Sequence, residues 1–260
     1  IERFVADGFI RLDGAFDRAV AAQVCERLYD EIRLAHRGFD VDDPATWPAP
    51  VLRFPGSIAQ PFFSALMSAR LEAAFDQLVG KERWQRAGLG TFAVRFPHPV
   101  EPDDAGWHTD GSYVGTDESF WSNVTSRGRA LLMLLLFTDV GIDDAPTRIR
   151  VGSHLLIPRL LEPAGEEGVS AMELARRFPD FDALPLTHAT GRAGDAYLCH
   201  PFLVHAADRH RGSSPRIIAQ PPLAPTDGEL RLGRSVADHR SPVERAVRIG
   251  LDLPGERARP

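Results

Sequence analysis

The sequence predicts a mainly β fold, an antiparallel barrel or jelly roll carrying packed helices, and two observations point there. After Gly90 the chain breaks into short apolar runs bounded by Gly, Pro and Asp: Thr91–Phe96, Ala130–Thr138, Thr147–Val151, Leu186–Thr190, Ala196–Cys199, Leu203–Ala206 and Arg216–Gln220. Runs of this kind, joined by turns and not by regular crossover helices, pair as antiparallel neighbours. Before Gly90 the apolar spacing is helical. At 260 residues and 43% hydrophobic, the chain can build one large core. The expected organisation is a single domain over 1–260. It has a helical N-terminal layer at 1–90, a jelly-roll core at 91–222 with a helical excursion near 165–180, and a C-terminal helix and tail at 223–260.

Each element has a local cause. From Asp17 to about His36, Val20, Val24, Leu28 and Ile32 recur every four positions, with Asp17 placed to cap. Pro44 to Pro61 is proline-rich and reads as irregular, after which Phe62, Phe63, Leu66, Leu71, Phe75 and Leu78 mark a second helix stopping at Gly80. Ala130–Phe137 (ALLMLLLF) is too short to cross a bilayer, so it is a buried strand. Ser170-Ala171-Met172-Glu173 opens a helix through Phe178, an excursion suited to a lid. Ser241-Pro242-Val243-Glu244 starts another, running to about Ile249, and the tail from Pro254 should fray.

Composition removes several classes of function. All but one of the 30 basic residues are arginine, and the exception, Lys81, sits in an exposed-looking polar run, so lysine chemistry has no candidate. A formal charge of −6 argues against nucleic-acid binding. Cys25 and Cys199 are too few for a disulfide framework and read as reduced core fillers in a cytoplasmic protein. Nothing at the N-terminus reads as a signal peptide, and no segment reads as membrane-spanning.

Chemistry concentrates at two places. His108-Thr109-Asp110 puts an imidazole and a carboxylate on one side of extended chain, where both can grip one metal ion. With 9 histidines and 36 acidic residues, about one such pair is expected by chance, so the triplet needs support. The segment opened by Gly194-Asp195 supplies it, with His200 and His205 followed by a turn-rich stretch and the apolar run beginning at Arg216. A hairpin turning between His210 and Arg211 would set His205 opposite Arg216, a metal ligand beside a carboxylate fork. His200 competes for the third ligand, but its spacing to Arg216 fits that hairpin less well. Two histidines and one carboxylate with open positions make the facial triad of non-haem Fe(II) oxygenases.

Trp107 to Asp110, the stretch from Asp139 through Ala145-Pro146-Thr147 to Gly152-Ser153-His154, and the eleven-residue spacing from His205 to Arg216 together resemble the phytanoyl-CoA dioxygenase family of Fe(II)/2-oxoglutarate oxygenases. The opening Phe4-Val5-Ala6-Asp7-Gly8-Phe9 is similar too, and the resemblance extends to about Pro222. It implies a double-stranded β-helix, a cupin-like jelly roll, with His108, Asp110 and His205 holding iron and Arg216 binding the distal carboxylate of 2-oxoglutarate. It further implies that O2 is consumed, that succinate is released, and that a small organic substrate, a secondary metabolite or similar, is hydroxylated or desaturated. Asp110 stands where related halogenases have a small residue, which disfavours halogenation.

Departures from the pattern are Ala207 where serine is usual, His210 where asparagine is usual, and Val151 in place of proline. Ser214 or Thr147 is the candidate replacement for the lost hydroxyl, and Arg95 is a candidate for the cosubstrate, set against a structural salt bridge. Trp107, Tyr113, Phe120 and Trp121 are candidates for the substrate pocket, set against plain core packing. His154 reads as a packing residue of its turn. Two other readings stay open: a non-catalytic jelly-roll module that binds a metal or ligand, and a cupin-type isomerase or hydrolase that does not use 2-oxoglutarate. Oligomeric state has no signature.

Overall fold

The structure, a computed structural model, describes residues 1–228, 230 and 241–252. Helix α1 (Glu2–Asp7) ends at Gly8, whose φ of +86° turns the chain into strand β1 (Phe9–Leu12). Helix α2 (Arg18–Ala35) is capped by Asp17, whose carboxylate accepts from Ala19 N at 2.8 Å, and it buries Val24, Leu28 and Ile32. Strand β2 (Val51–Phe54) follows. The one helix expected at 62–78 is two, α3 (Phe62–Leu66) and α4 (Ala69–Leu78). Ser68 leaves the helical path and caps α4, its hydroxyl accepting from Leu71 N.

Next come β3 (Phe92–Arg95), β4 (Tyr113–Val114), β5 (Phe120–Ser122), β6 (Leu131–Leu136) and β7 (Arg148–Arg150). Helix α5 (Ile157–Leu161), β8 (Val169–Ser170) and α6 (Ala171–Arg176) make the excursion, with α6 stopping short of Phe178. Then follow β9 (Leu186–His188), β10 (Ala196–Cys199), β11 (His205–Ala206), β12 (Arg216–Ala219), β13 (Pro222–Leu223) and α7 (Pro242–Gly250). The tail expected to fray from Pro254 lies outside the described residues.

The result is a mixed helix and sheet fold whose ladders are antiparallel. The large sheet runs β1-β10-β6-β12-β3-β2, with β13 also on β6, and two three-stranded sheets run β11-β7-β9 and β4-β5-β8. The layer expected to be mainly helical therefore also contributes both edge strands, β1 and β2, of the large sheet. β6 shows why this sheet is buried on both faces. Leu131, Met133 and Leu135 join the core shared with the helices, while Leu132, Leu134 and Leu136 join a second core with Ile149 of β7 and Ala189.

The same alternation sorts β12. Ile217 and Ala219 face the helices, so Arg216 and Ile218 face the inner space between the sheets. The expected hairpin does not form: β11 pairs with β7, whereas β12 pairs with β3 and β6. Residues 207–215 instead cross from the small sheet to the large one, held where Arg211 N and Gly212 N both donate to the carbonyl of Asp143. His205 and Arg216 therefore sit on facing walls and not on one ladder. Cys25 and Cys199 are buried free thiols, and no helix among the described residues is long and apolar enough to cross a membrane.

Candidate metal centre

His205 is set by pairing with His108. The two backbones exchange both hydrogen bonds, His108 N to His205 O at 3.0 Å and His205 N to His108 O at 2.9 Å, which brings the rings to 4.5 Å between centroids. Asp110, two residues beyond His108, shares its side of the chain. One donor atom from each of the three residues lies within 4.8 Å of the others. Asp110 Oδ1 is 3.6 Å from His205 Nε2 and 3.8 Å from His108 Nε2, too long for hydrogen bonds and suited to a cation between them.

The tautomers favour the same use. His108 Nδ1 lies 2.8 Å from the carbonyl of Gly106, and His205 Nδ1 lies 3.0 Å from that of Leu203. A carbonyl only accepts, so both Nδ1 atoms donate and the Nε2 atoms are the ones turned toward Asp110. His205 Nε2 is buried without a hydrogen-bond partner. Burial, with His205 alongside, pushes His108 toward its neutral form. For Asp110 burial opposes ionisation, yet Arg129 and the two imidazoles outweigh it and hold the carboxyl well below the usual range. Two imidazoles, each oriented through its far nitrogen, and one carboxylate are a donor set that a divalent first-row ion fits.

The three groups open into a cavity of about 350 Å³ between the sheets. On its far wall Arg216 is 3% exposed, with Nε donating to Ala145 O at 3.0 Å, and it has no carboxylate within ion-pair distance among the described residues. Burial and the directly opposed Arg95 pull its pKa down to about 9, outweighing the opposite pull of Asp104. Arg95 lines the same cavity but shares the Asp104 carboxylate with Arg53, so it takes part in an ion pair and faces the site as well.

The other expected residues divide. Thr147 and Ala207 line the cavity; Ser214 does not, because the crossing loop turns it toward a separate cleft with Thr138 and Pro215. That leaves Thr147 as the hydroxyl beside Ala207. Trp107, Tyr113 and Trp121 also lie outside the lining. Trp107 is covered by the guanidinia of Arg148 and Arg150, Tyr113 donates to the carbonyl of Glu167, and the Trp121 indole donates to Asp117. Phe120 does line the cavity, and it is 60% exposed. His200 is buried in the turn after β10 against the carbonyl of Val243, away from the three donors. His154 is buried against the carbonyl of Val5.

Arg129 is the residue of this site that the sequence reading missed. Its Nη1 donates to Asp110 Oδ2 at 3.0 Å and its Nε to the carbonyl of Gly111 at 3.1 Å. It stands among many arginines with no local motif to mark it.

The family model described as phytanoyl-CoA dioxygenase matches residues 4–218. No similar protein is found among curated sequences. Among solved structures, the chain is similar to HygX from Streptomyces hygroscopicus with nickel and 2-oxoglutarate bound, at 19% identity and a TM-score of 0.56, covering 86% of this chain and 85% of that one. It is similar to the non-haem α-ketoglutarate-dependent epimerase SnoN from nogalamycin biosynthesis, at 21% identity and 0.57, covering 84% and 78%. A third likeness is EctD from S. alaskensis, at 17% and 0.52, covering 91% and 80%. At these identities the likeness concerns the fold.

Proposed function

The chain belongs to the phytanoyl-CoA dioxygenase family, and on that premise we propose an iron(II)- and 2-oxoglutarate-dependent oxygenase that hydroxylates or desaturates a small organic molecule, such as a secondary metabolite. One observation carries this reading: His108, Asp110 and His205 converge while Arg216, with no ion-pair partner among the described residues, faces them across the same cavity. The facing sheets support a double-stranded β-helix within a single domain over 1–260. HygX and SnoN, similar in fold, are described with 2-oxoglutarate or as dependent on α-ketoglutarate, and HygX also with hygromycin B, which fits a small-molecule substrate.

Iron(II), 2-oxoglutarate and O2 would supply the oxidation, releasing succinate and carbon dioxide as hydrogen is taken from the substrate. The chain's own residues bind and orient. His108 and His205 would hold the ion through their Nε2 nitrogens and Asp110 through one carboxylate oxygen, and the cavity beside them has room for small ligands. Arg216 takes the distal carboxylate of the cosubstrate through its fork, with Arg95 and Thr147 beside it. Phe120, exposed at the wall on the Gly111 side, offers an apolar face to the substrate.

The reading is tested by anaerobic titration of Fe(II) into the purified chain, followed by assay of succinate release from 2-oxoglutarate. His108→Ala and Asp110→Ala should each abolish iron binding, and unchanged binding in both would overturn the site. Iron binding without any succinate release would favour the non-catalytic module. Failure of 2-oxoglutarate to bind the iron-loaded chain would favour a metal enzyme of another kind.

A further inference from the structure

We propose that Arg129 is a positioning residue of the metal centre, holding Asp110 so that it presents one oxygen, Oδ1, to the ion. The inference rests on the metal reading above. Its ground is the division of labour between the two carboxylate oxygens. Oδ2 accepts from Arg129 Nη1 at 3.0 Å, while Oδ1 alone faces both imidazole nitrogens, at 3.6 and 3.8 Å. A second bond, Arg129 Nε to the carbonyl of Gly111 at 3.1 Å, ties the guanidinium to the backbone next to the ligand itself. Rotation of the carboxylate would break the first bond without displacing the second.

The guanidinium is itself anchored. Arg129 is 9% exposed and lies two residues before the start of β6. Its turn is closed by Ser126, whose hydroxyl donates to the carbonyl of Arg129 and whose own carbonyl accepts from Arg129 N, and by Gly128 N donating to Gly228 O at 2.8 Å. All three donor residues are thus gripped at the atom that does not face the ion: His108 by Gly106, His205 by Leu203 and Asp110 by Arg129. The first two grips are backbone carbonyls fixed by the fold. The third is a side chain, so it can be removed by substitution.

The sign of the effect separates positioning from simple charge. A cation beside a divalent ion repels it, so charge alone predicts tighter metal binding once Arg129 is gone. Positioning predicts weaker binding, by about ten- to a hundredfold, the usual consequence of removing a group that orients a ligand. The experiment is titration of Co(II) or Mn(II) alone into the wild-type chain, Arg129→Met and Arg129→Lys, with circular dichroism and the melting temperature recorded for each. Weaker binding of the metal by Arg129→Met at native helix and sheet content is the expected result, with Arg129→Lys between it and wild type. Equal or tighter binding by a folded Arg129→Met overturns the proposal, as does a lowered melting temperature with unchanged metal affinity. If Arg129→Met does not fold, Arg129→Lys decides, since lysine keeps the charge but has a single nitrogen in place of the rigid fork that holds Asp110 and the Gly111 carbonyl from two separate nitrogens. It should then bind metal several-fold more weakly, and unchanged affinity overturns the proposal. Absence of metal binding by the wild-type chain would instead overturn the metal reading, and this inference with it.

Discussion

A guanidinium taken out of water is costly unless an anion meets it, and among the described residues Arg216 bonds to the carbonyl of Ala145 and to no carboxylate while a second arginine stands opposite. The natural account is that the site is built for an anionic ligand and carries the cost when empty. Arg216→Met should therefore separate two properties. In the absence of 2-oxoglutarate it should raise stability by about 1–2 kcal/mol, since replacing a poorly compensated buried charge with an apolar side chain is commonly stabilising. It should also raise the 2-oxoglutarate requirement at least tenfold. Denaturant unfolding and a cosubstrate titration check the two halves, and a destabilised variant with unchanged cosubstrate affinity would remove Arg216 from this role. At this scale the sequence showed His108 and Asp110 because spacing by two puts side chains on one side of extended chain. It also marked His205 and Arg216 by their separation, although the hairpin argued for them does not exist. Arg129 stayed hidden because its contacts depend on how a turn folds over the site, and nothing local singled out Phe120 from Trp107, Tyr113 and Trp121 as the aromatic that lines the cavity.

Helices were legible because their caps are local. Ser241 accepts from Glu244 N, and Glu244 Oε2 accepts from Ser241 N at 2.9 Å, the reciprocal pair the sequence announced. Glu244 has a second task the sequence did not show, a fork-to-fork pair with Arg83 at 2.9 and 2.6 Å that docks α7 onto the segment after α4. Ser241→Ala should cost about 1 kcal/mol in denaturant unfolding. Glu244→Gln should cost more, because it leaves the partly buried Arg83 without its anion; equal costs would mean that the docking pair adds nothing to the cap. Strand pairing was less legible. The apolar runs located seven of the strands, but which runs become neighbours depends on distant partners, and the edge strands β1 and β2 lie inside stretches whose stronger signals are helical or proline-rich. The break between β12 and β13 follows a similar logic, since Pro221 and Pro222 cannot donate to the ladder that both strands build on β6.

Across the whole molecule, the first and last described helices meet over a pair of buried imidazoles. His154 lies against the carbonyl of Val5 in α1, His200 lies against that of Val243 in α7, and the rings are 5.0 Å apart. Burial drives His154 down to about 4, and burial with His154 beside it drives His200 well below its ordinary value. Both are neutral in the folded chain and take up protons on unfolding. Their folded values lie below the unfolded one, so stability is fully present above about pH 6.5 and is lost as pH falls toward 4. His154 alone accounts for about 3 kcal/mol over that window. His108 and His210 are shifted in the same direction and add to the slope. Carboxylates held low, Asp110 and Asp139 among them, contribute only at lower pH, as the medium reaches their unfolded values near 4. Between pH 6.5 and 4.5 the loss therefore belongs to the imidazoles. Denaturant unfolding of the metal-free chain should show stability falling steadily across this range, and His154→Gln should fall less steeply even if it starts lower. An equal slope in the variant would mean that the junction between α1 and α7 does not carry the acid sensitivity.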